Sequence, residues 1–135
     1  MAESSHAQET WWRWNAICID CAPTEFESVV AFYRDLLGLR VADVEAGWAK
    51  LVSPTAGMDI NVQAADWYEP PVWPETGPER SKMMHFEINV GDVDAAVARA
   101  VSLGGIEAPG QPADRGQSKL RVMLDPAGHP FCLWS

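Results

Sequence analysis

The segment HFEINVGDVDAAVARAVSLGG, residues 85–105, carries the pattern that decides the fold. Its first residues alternate between polar and apolar side chains, as in a strand with one buried face. Asp92 then precedes apolar residues at helical spacing, and two glycines end the pattern. We therefore predict a strand followed directly by a helix from Val93 to Leu103, with Asp92 as its N-cap.

The first half of the chain repeats this order. It reads AICIDC (16–21), then an amphipathic stretch that closes at Leu37 and Gly38, then short predicted strands. A turn-forming segment precedes the last strand of each half, PTAG (54–57) in the first and PAG (126–128) in the second. The repeat predicts two modules of strand, helix and strands, which together would form a symmetric cleft.

Local patterns place the remaining elements. Thr24 and Glu27 have the spacing of a capping box, so we predict that the first helix begins with Thr24 as its N-cap and ends at Gly38. The predicted strands cover residues 15–21, 40–45, 48–53, 58–63, 83–90, 106–112, 119–124 and 130–134.

Residues 1–135 are predicted to form one domain, since this length suits a single core. The predicted modules are residues 12–63 and 82–135, separated by a proline-rich linker at 64–81. Residues 1–10 are interpreted as a frayed tail.

Tryptophans are frequent beside these boundaries. Trp11, Trp12 and Trp14 follow the tail, and we expect them to dock on the domain or on a partner subunit because each ring has a large apolar area. The linker contains Trp67, Tyr68 and Trp73, which either form part of a lid over a pocket or anchor the linker to the body.

The composition argues against several classes of function. The chain has 19 acidic and 10 basic residues, a net charge of −9. A protein surface that binds nucleic acid or an anionic membrane needs clustered Lys and Arg, so we expect neither partner.

We also expect no membrane span and no signal peptide, because no apolar run is long enough and the first residues are polar. The three cysteines do not suggest a secreted disulfide framework, and we expect a cytoplasmic protein.

Cys18 and Cys21 have C-x-x-C spacing but lie in a predicted strand. Residues three apart on a strand point to opposite faces, so these two thiols are not expected to bind one metal together.

Strand parity separates two faces of the predicted sheets. In four strands, apolar residues alternate with polar or mixed ones, and the apolar set is predicted to face the helices. The opposite face carries Ala16, Cys18, Asp20, Asp59, Asn61, Gln63, His85, Glu87, Asn89, Pro130, Cys132 and Trp134. A plain core would not select these residues, so this face is the predicted site.

Three segments together show a family pattern: VVAFYRDLLGL (29–39), residues 85–105 quoted above, and LDPAGHPFCLW (124–134). In these segments the chain resembles the vicinal oxygen chelate superfamily, the group of glyoxalase I, bleomycin-resistance proteins and extradiol dioxygenases. The resemblance covers about residues 15–134. It implies an α+β fold of two tandem βαβββ modules, whose mixed sheets curl around a shared cleft with the helices on the outer face.

The resemblance also implies where a divalent metal would be held, by one residue from the first and last strand of each module. The corresponding positions here are Ala16, Asn61, His85 and Cys132. Ala16 cannot bind a metal, Asn61 offers a neutral amide, and Cys132 replaces a carboxylate. We therefore expect a degenerate site without metal. Weak candidates for a metal remain at His85 and Cys132, and Glu87 or Asp59 would supply a carboxylate if the register were shifted.

Two functions follow as expectations. The first is a protein of the bleomycin-resistance type that binds a small aromatic or hydrophobic molecule without a cofactor. The second is a lyase, isomerase or dioxygenase for a small carbonyl or enol substrate, which uses a divalent metal or His85 and Glu87 as catalytic groups. The predicted ligand-binding residues are Cys18, Asp20, Trp48, Asp59, Asn61, Gln63, His85, Asn89, Cys132 and Trp134. The resemblance further implies a homodimer.

Each site histidine and aromatic group also has a structural interpretation. His85 either contacts substrate or is only hydrogen-bonded to Glu87 or Asn89. His129 lies in a predicted turn and is expected to be solvated. Trp48 and Trp134, with the linker aromatics, either line a pocket for a flat ligand or belong to the core.

Overall fold

The computed structural model describes residues 14–55, 57–78, 83–113 and 115–135. It contains two helices and eight strands in the order strand, helix and three strands, twice over. The first set is β1 (Ala16–Cys21), α1 (Phe26–Leu37), β2 (Arg40–Glu45), β3 (Trp48–Val52) and β4 (Asp59–Ala64). The second set is β5 (Phe86–Asn89), α2 (Val93–Ser102), β6 (Ile106–Glu107), β7 (Leu120–Leu124) and β8 (Pro130–Trp134). Within the described residues, no helix is long and apolar enough to cross a membrane.

The strands form two sheets with the same topology. Their orders are β1-β4-β3-β2 and β5-β8-β7-β6. In each sheet the first strand pairs in parallel with the last, and the other pairs are antiparallel. The predicted α+β fold of two βαβββ modules is confirmed, and β1 and β5 are equivalent edge strands.

The predicted start of α1 is wrong. Pro23 opens a 3-10 turn at Pro23–Glu25, and the α-helix begins at Phe26 without a side-chain cap. Proline fixes φ near the helical value and suits the first position of a helical turn. Thr24 therefore lies inside the turn and cannot act as the extended N-cap residue. In α2, by contrast, the Asp92 side chain accepts a hydrogen bond from the backbone N–H of Ala95 at 3.1 Å, as predicted.

The predicted end of α1 is confirmed. Gly38 has φ +66°, in the left-handed region that costs other residues free energy. We expect Gly38→Ala to lower the free energy of unfolding by about 1 kcal/mol, because alanine is strained at this φ. A steric clash does not add to this cost, since an added Cβ would meet no atom within 4 Å. Gly91→Ala is the matched control, since its Cβ also meets open space but its φ is not positive. Urea unfolding of both variants checks this, and equal stabilities would contradict it.

One hydrophobic core joins the two modules. Phe32 and Tyr33 on α1 are buried together with residues of both sheets. The Phe32 and Phe131 rings lie 5.7 Å apart between centroids, and Tyr33 lies 5.7 Å from Phe86 in an edge-on contact. The helix of the first module thus packs on β5 and β8 of the second, which sets the position of β1 relative to β5.

The burial pattern agrees with the predicted strand parity. Ile60, Val62, Phe131 and Leu133 are buried on the helix side. Cys18, Asp20, Gln63, Glu87 and Asn89 on the opposite face are exposed.

Cys132 departs from this pattern because it is buried on the opposite face. It packs in a second small cluster with Ala108 and Val122, against which Trp73 of the linker lies. The Trp73 indole N–H donates a hydrogen bond to the carbonyl of Pro109. The linker therefore covers this part of the second sheet.

Candidate functional site

Two adjacent cavities lie where the first strands of the two modules approach each other. The larger has a volume of about 480 Å³ and the smaller about 450 Å³. Ile17, His85 and Phe86 line both, so the cavities meet at these three residues. The rest of the larger cavity is lined by Cys18, Ile19, Tyr33, Met83, Met84, His129 and Pro130. The rest of the smaller is lined by Leu37, Leu39, Ser53, Met58, Glu87 and Ile88 together with Ile60.

His85 is the polar side chain at the junction. It directly precedes β5, and its Nε2 lies 3.3 Å from Oε2 of Glu87. The imidazole is 23% exposed and the Glu87 side chain 65% exposed. A carboxylate thus lies beside one ring nitrogen while the other ring nitrogen is left for a ligand, and this arrangement suits proton transfer.

Of the predicted site residues, the cavities bring together Cys18, His85 and Glu87. Pro130 of the same face also lines the larger cavity, and the others do not contribute to the linings. On the first sheet, Cys18 pairs with Asn61 and Asp20 with Gln63 across β1 and β4, and Trp48 pairs with Gln63 across β3 and β4.

The remaining predicted residues make structural contacts. Asp59 accepts a hydrogen bond at 2.8 Å from the backbone N–H of Ser53. Asn89 donates at 3.2 Å to the carbonyl of Trp134, and the Trp134 side chain is 38% exposed. Cys132 lies under the linker, as described above.

The residues at the family metal positions do not fit a divalent ion. Ala16 provides no donor atom and is paired with Asp59, not with Asn61. Cys132 packs among apolar side chains. The side-chain oxygen of Asn61 is buried with no hydrogen-bond partner in the described residues, but it is a single neutral donor. Within the described ranges, no group of three or more His, Cys, Asp or Glu side chains is placed to hold a metal.

The two strand cysteines behave as protonated thiols on opposite faces. Burial, followed by the charge of Asp20, raises the pKa of Cys18, which is exposed at the cavity. Burial raises the pKa of Cys21 to about 11, with Glu25 as the next cause. Neither thiol is therefore a thiolate at neutral pH, and neither is suited to act as a nucleophile there.

A buried polar network borders the larger cavity and was missed by the sequence analysis. The carboxylate of Asp125 is 1% exposed and accepts a hydrogen bond from the Tyr33 hydroxyl at 2.7 Å. It also accepts from the backbone N–H groups of Ala127 and His129, each at 2.9 Å, and lies 2.8 Å from Nδ1 of His129. The prediction that His129 is solvated is wrong, because this carboxylate holds it.

Tyr68 extends the network to the linker. Its hydroxyl lies 2.9 Å from the carbonyl of Ala127, to which it donates, and 3.2 Å from Nε2 of His129. Burial, and then the charge of Asp125, raise the pKa of both Tyr33 and Tyr68, so both phenols stay protonated at neutral pH. The sequence signal was the segment DPAGHP (125–130), which places an acid and a histidine four residues apart across a turn.

Two of the three linker aromatics have the anchoring role, and none lies over a cavity. Tyr68 and Trp73 pin the linker to the second module through the hydrogen bonds described above. Trp67 is 91% exposed. None of the three contributes to the lining of either cavity.

Comparisons with known proteins agree with the fold. The family model of the glyoxalase-like domain matches residues 16–134. Among curated proteins, no sequence gives a significant match.

Several solved structures are similar in fold at low sequence identity. A gene product of Arabidopsis thaliana has a TM-score of 0.65 at 18% identity, with 92% of this chain and 99% of that chain covered. A mutant of the fosfomycin resistance protein FosX from Listeria monocytogenes, in complex with Mn(II) and a dihydroxypropylphosphonic acid, has a TM-score of 0.64 at 16% identity, with 90% and 88% covered. The trypanothione-dependent glyoxalase I of Leishmania major has a TM-score of 0.60 at 17% identity, with 92% and 86% covered.

Proposed function

This chain belongs to the glyoxalase-like family, and we propose that it binds a small hydrophobic or aromatic molecule in the cavities between β1 and β5. The observation that carries this proposal is the pair of adjacent cavities with apolar walls and a single histidine at their junction. Small-molecule sites are typically concave, largely apolar and equipped with a few polar groups that orient the ligand.

The size and the lining of the cavities support this binding. Volumes of about 480 and 450 Å³ lie in the range that drug-sized ligands fill. Ile17 and Phe86 provide rigid apolar surface, and Met84 at the larger cavity provides an adaptable side chain.

The proposal does not include a metal. The FosX structure holds Mn(II) together with its phosphonic acid ligand, so a metal is compatible with the fold. In this chain Ala16 and the buried Cys132 replace two of the expected ligands, and the remaining donors are insufficient. We therefore propose that the cavity walls bind the ligand directly.

We further propose that the protein is a homodimer in the cytoplasm. A monomeric mass in light scattering would contradict the dimer.

A bulkier side chain at the junction of the two cavities tests this proposal. Ile17→Trp places an indole ring where the cavities meet, so we expect the affinity for naphthol, measured by calorimetry, to fall at least about tenfold. Ile106→Trp is the matched control, because Ile106 lies on β6, is 58% exposed and lines neither cavity. Unchanged binding by Ile17→Trp, or equal loss in both variants, would contradict binding at this place.

A second candidate function is proton-transfer catalysis, favoured by the 3.3 Å contact between His85 and Glu87. Nδ1 of His85 would take a proton from a carbon next to a carbonyl, and the carboxylate of Glu87 would stabilise the imidazolium that forms. Deuterium exchange into a bound carbonyl compound, followed by NMR, tests this. Exchange that persists unchanged in His85→Gln would exclude the role.

A further inference from the structure

The tautomer of His85 decides which ligand group it can bind. Glu87 presents a carboxylate oxygen to Nε2, and an ionised carboxylate only accepts hydrogen bonds. The proton of the neutral imidazole is therefore favoured on Nε2, which lies 3.3 Å from this oxygen. In the neutral imidazole the other nitrogen, Nδ1, is then an acceptor with no proton of its own.

This acceptor is available to a ligand. The hydrogen bonds among the described residues leave Nδ1 of His85 without a partner. The side chain is about three-quarters covered, and it lines both cavities. A partly covered acceptor beside apolar walls gains from a donor on the ligand, because the ligand displaces the water that would otherwise reach it.

The charges of the described lining residues do not favour an anionic ligand. Among the described residues that line the cavities there is no Lys or Arg, whereas Glu87 lines the smaller cavity. Burial, and then the charge of Asp20, raise the pKa of Cys18 at the larger cavity, so an acidic group also lies near this cavity. An anion would lose its hydration there without a compensating cation.

We infer that the ligand is an uncharged apolar or aromatic molecule with one O–H or N–H donor, such as a phenol, which donates to Nδ1 of His85. This inference rests on the proposed binding function and adds the chemical class of the ligand. A carboxylate or phosphonate of the same size is expected to bind more weakly, because the described lining residues include Glu87 and no Lys or Arg, and an ether of the same size binds without the hydrogen bond.

Three probes with one ring system test this: a naphthol, its methyl ether and the corresponding naphthoate, each titrated at neutral pH by calorimetry. We expect the naphthol to bind about tenfold more tightly than the ether, which corresponds to one hydrogen bond of about 1.4 kcal/mol. The naphthoate is expected to bind more weakly than both.

Two variants assign the preference to His85. His85→Phe keeps a ring at the junction but removes the acceptor, so the naphthol and the ether are expected to bind equally. Glu87→Leu removes the carboxylate that fixes the tautomer, so the preference for the naphthol is expected to shrink, while Glu45→Leu, at an exposed strand end, leaves it unchanged.

The outcomes are distinguishable. Tightest binding of the naphthoate, equal binding of naphthol and ether to the natural chain, or a preference that survives in His85→Phe would overturn the ligand class while leaving the binding function intact. If none of the three probes binds, the proposed function fails, and this inference fails with it.

Discussion

Replacing Phe131 with alanine is expected to lower the free energy of unfolding by about 3–5 kcal/mol. Its ring is fully buried on β8 and lies 5.7 Å from Phe32 and 6.5 Å from Tyr33, between ring centroids. Both partners belong to α1, so the alanine variant loses two of the ring contacts that join the two modules. Chemical unfolding, followed by far-UV circular dichroism, measures the loss.

Phe131→Leu is the matched variant, because leucine retains most of the buried volume and should cost less than half as much. Since Phe131 packs on Tyr33 behind the larger cavity, the alanine variant is also expected to bind the naphthol more weakly. An alanine variant within about 1 kcal/mol of the natural chain would show that the two modules do not depend on this contact.

Replacing Asp125 with alanine is expected to cost about 3 kcal/mol. The carboxylate is buried and accepts hydrogen bonds from Tyr33, from the imidazole of His129 and from two backbone N–H groups. Its removal leaves these donors in a region that little water reaches, and an unpaired buried donor is more costly than a hydrogen bond is stabilising. Thermal and urea unfolding both report the change.

Two further variants separate the contributions. Asp125→Asn keeps the shape and one acceptor oxygen, so a loss of about 1–2 kcal/mol is expected. Asp66→Asn is the control on an exposed acid outside the network and should be near neutral. If Asp125→Ala and Asp66→Asn had similar stabilities, the network would contribute nothing to folding.

Much of the architecture could be predicted because its determinants are local. The alternation in β1, β4, β5 and β8 identifies the helix-facing side, and each strand needs only its own residues for this. The exceptions have specific causes. Pro23 opens a 3-10 turn that already includes Thr24, so the helical segment begins before the predicted N-cap. Trp73 of the linker packs against the cluster that contains Cys132, on a face whose local pattern predicted a site.

The candidate site could be predicted only in part. The alternation of residues along the strands and the family resemblance indicated His85, Glu87 and Cys18, and all three line the cavities. Tyr33 lies in the amphipathic stretch of the first helix, and nothing near it in the chain indicates a polar partner. Its partner Asp125 lies 92 residues away.

The sequence by itself determined the duplicated modules, the order of their elements and the faces of their strands, because periodicity and glycine or aspartate at helix ends act over a few residues. Only the tertiary structure decided where the cavities lie and that Tyr33, Asp125, His129 and Tyr68 meet. Those contacts arise when α1 of the first module packs on β5 and β8 of the second. The packing depends on the shapes of side chains far apart in the chain, which no local pattern encodes.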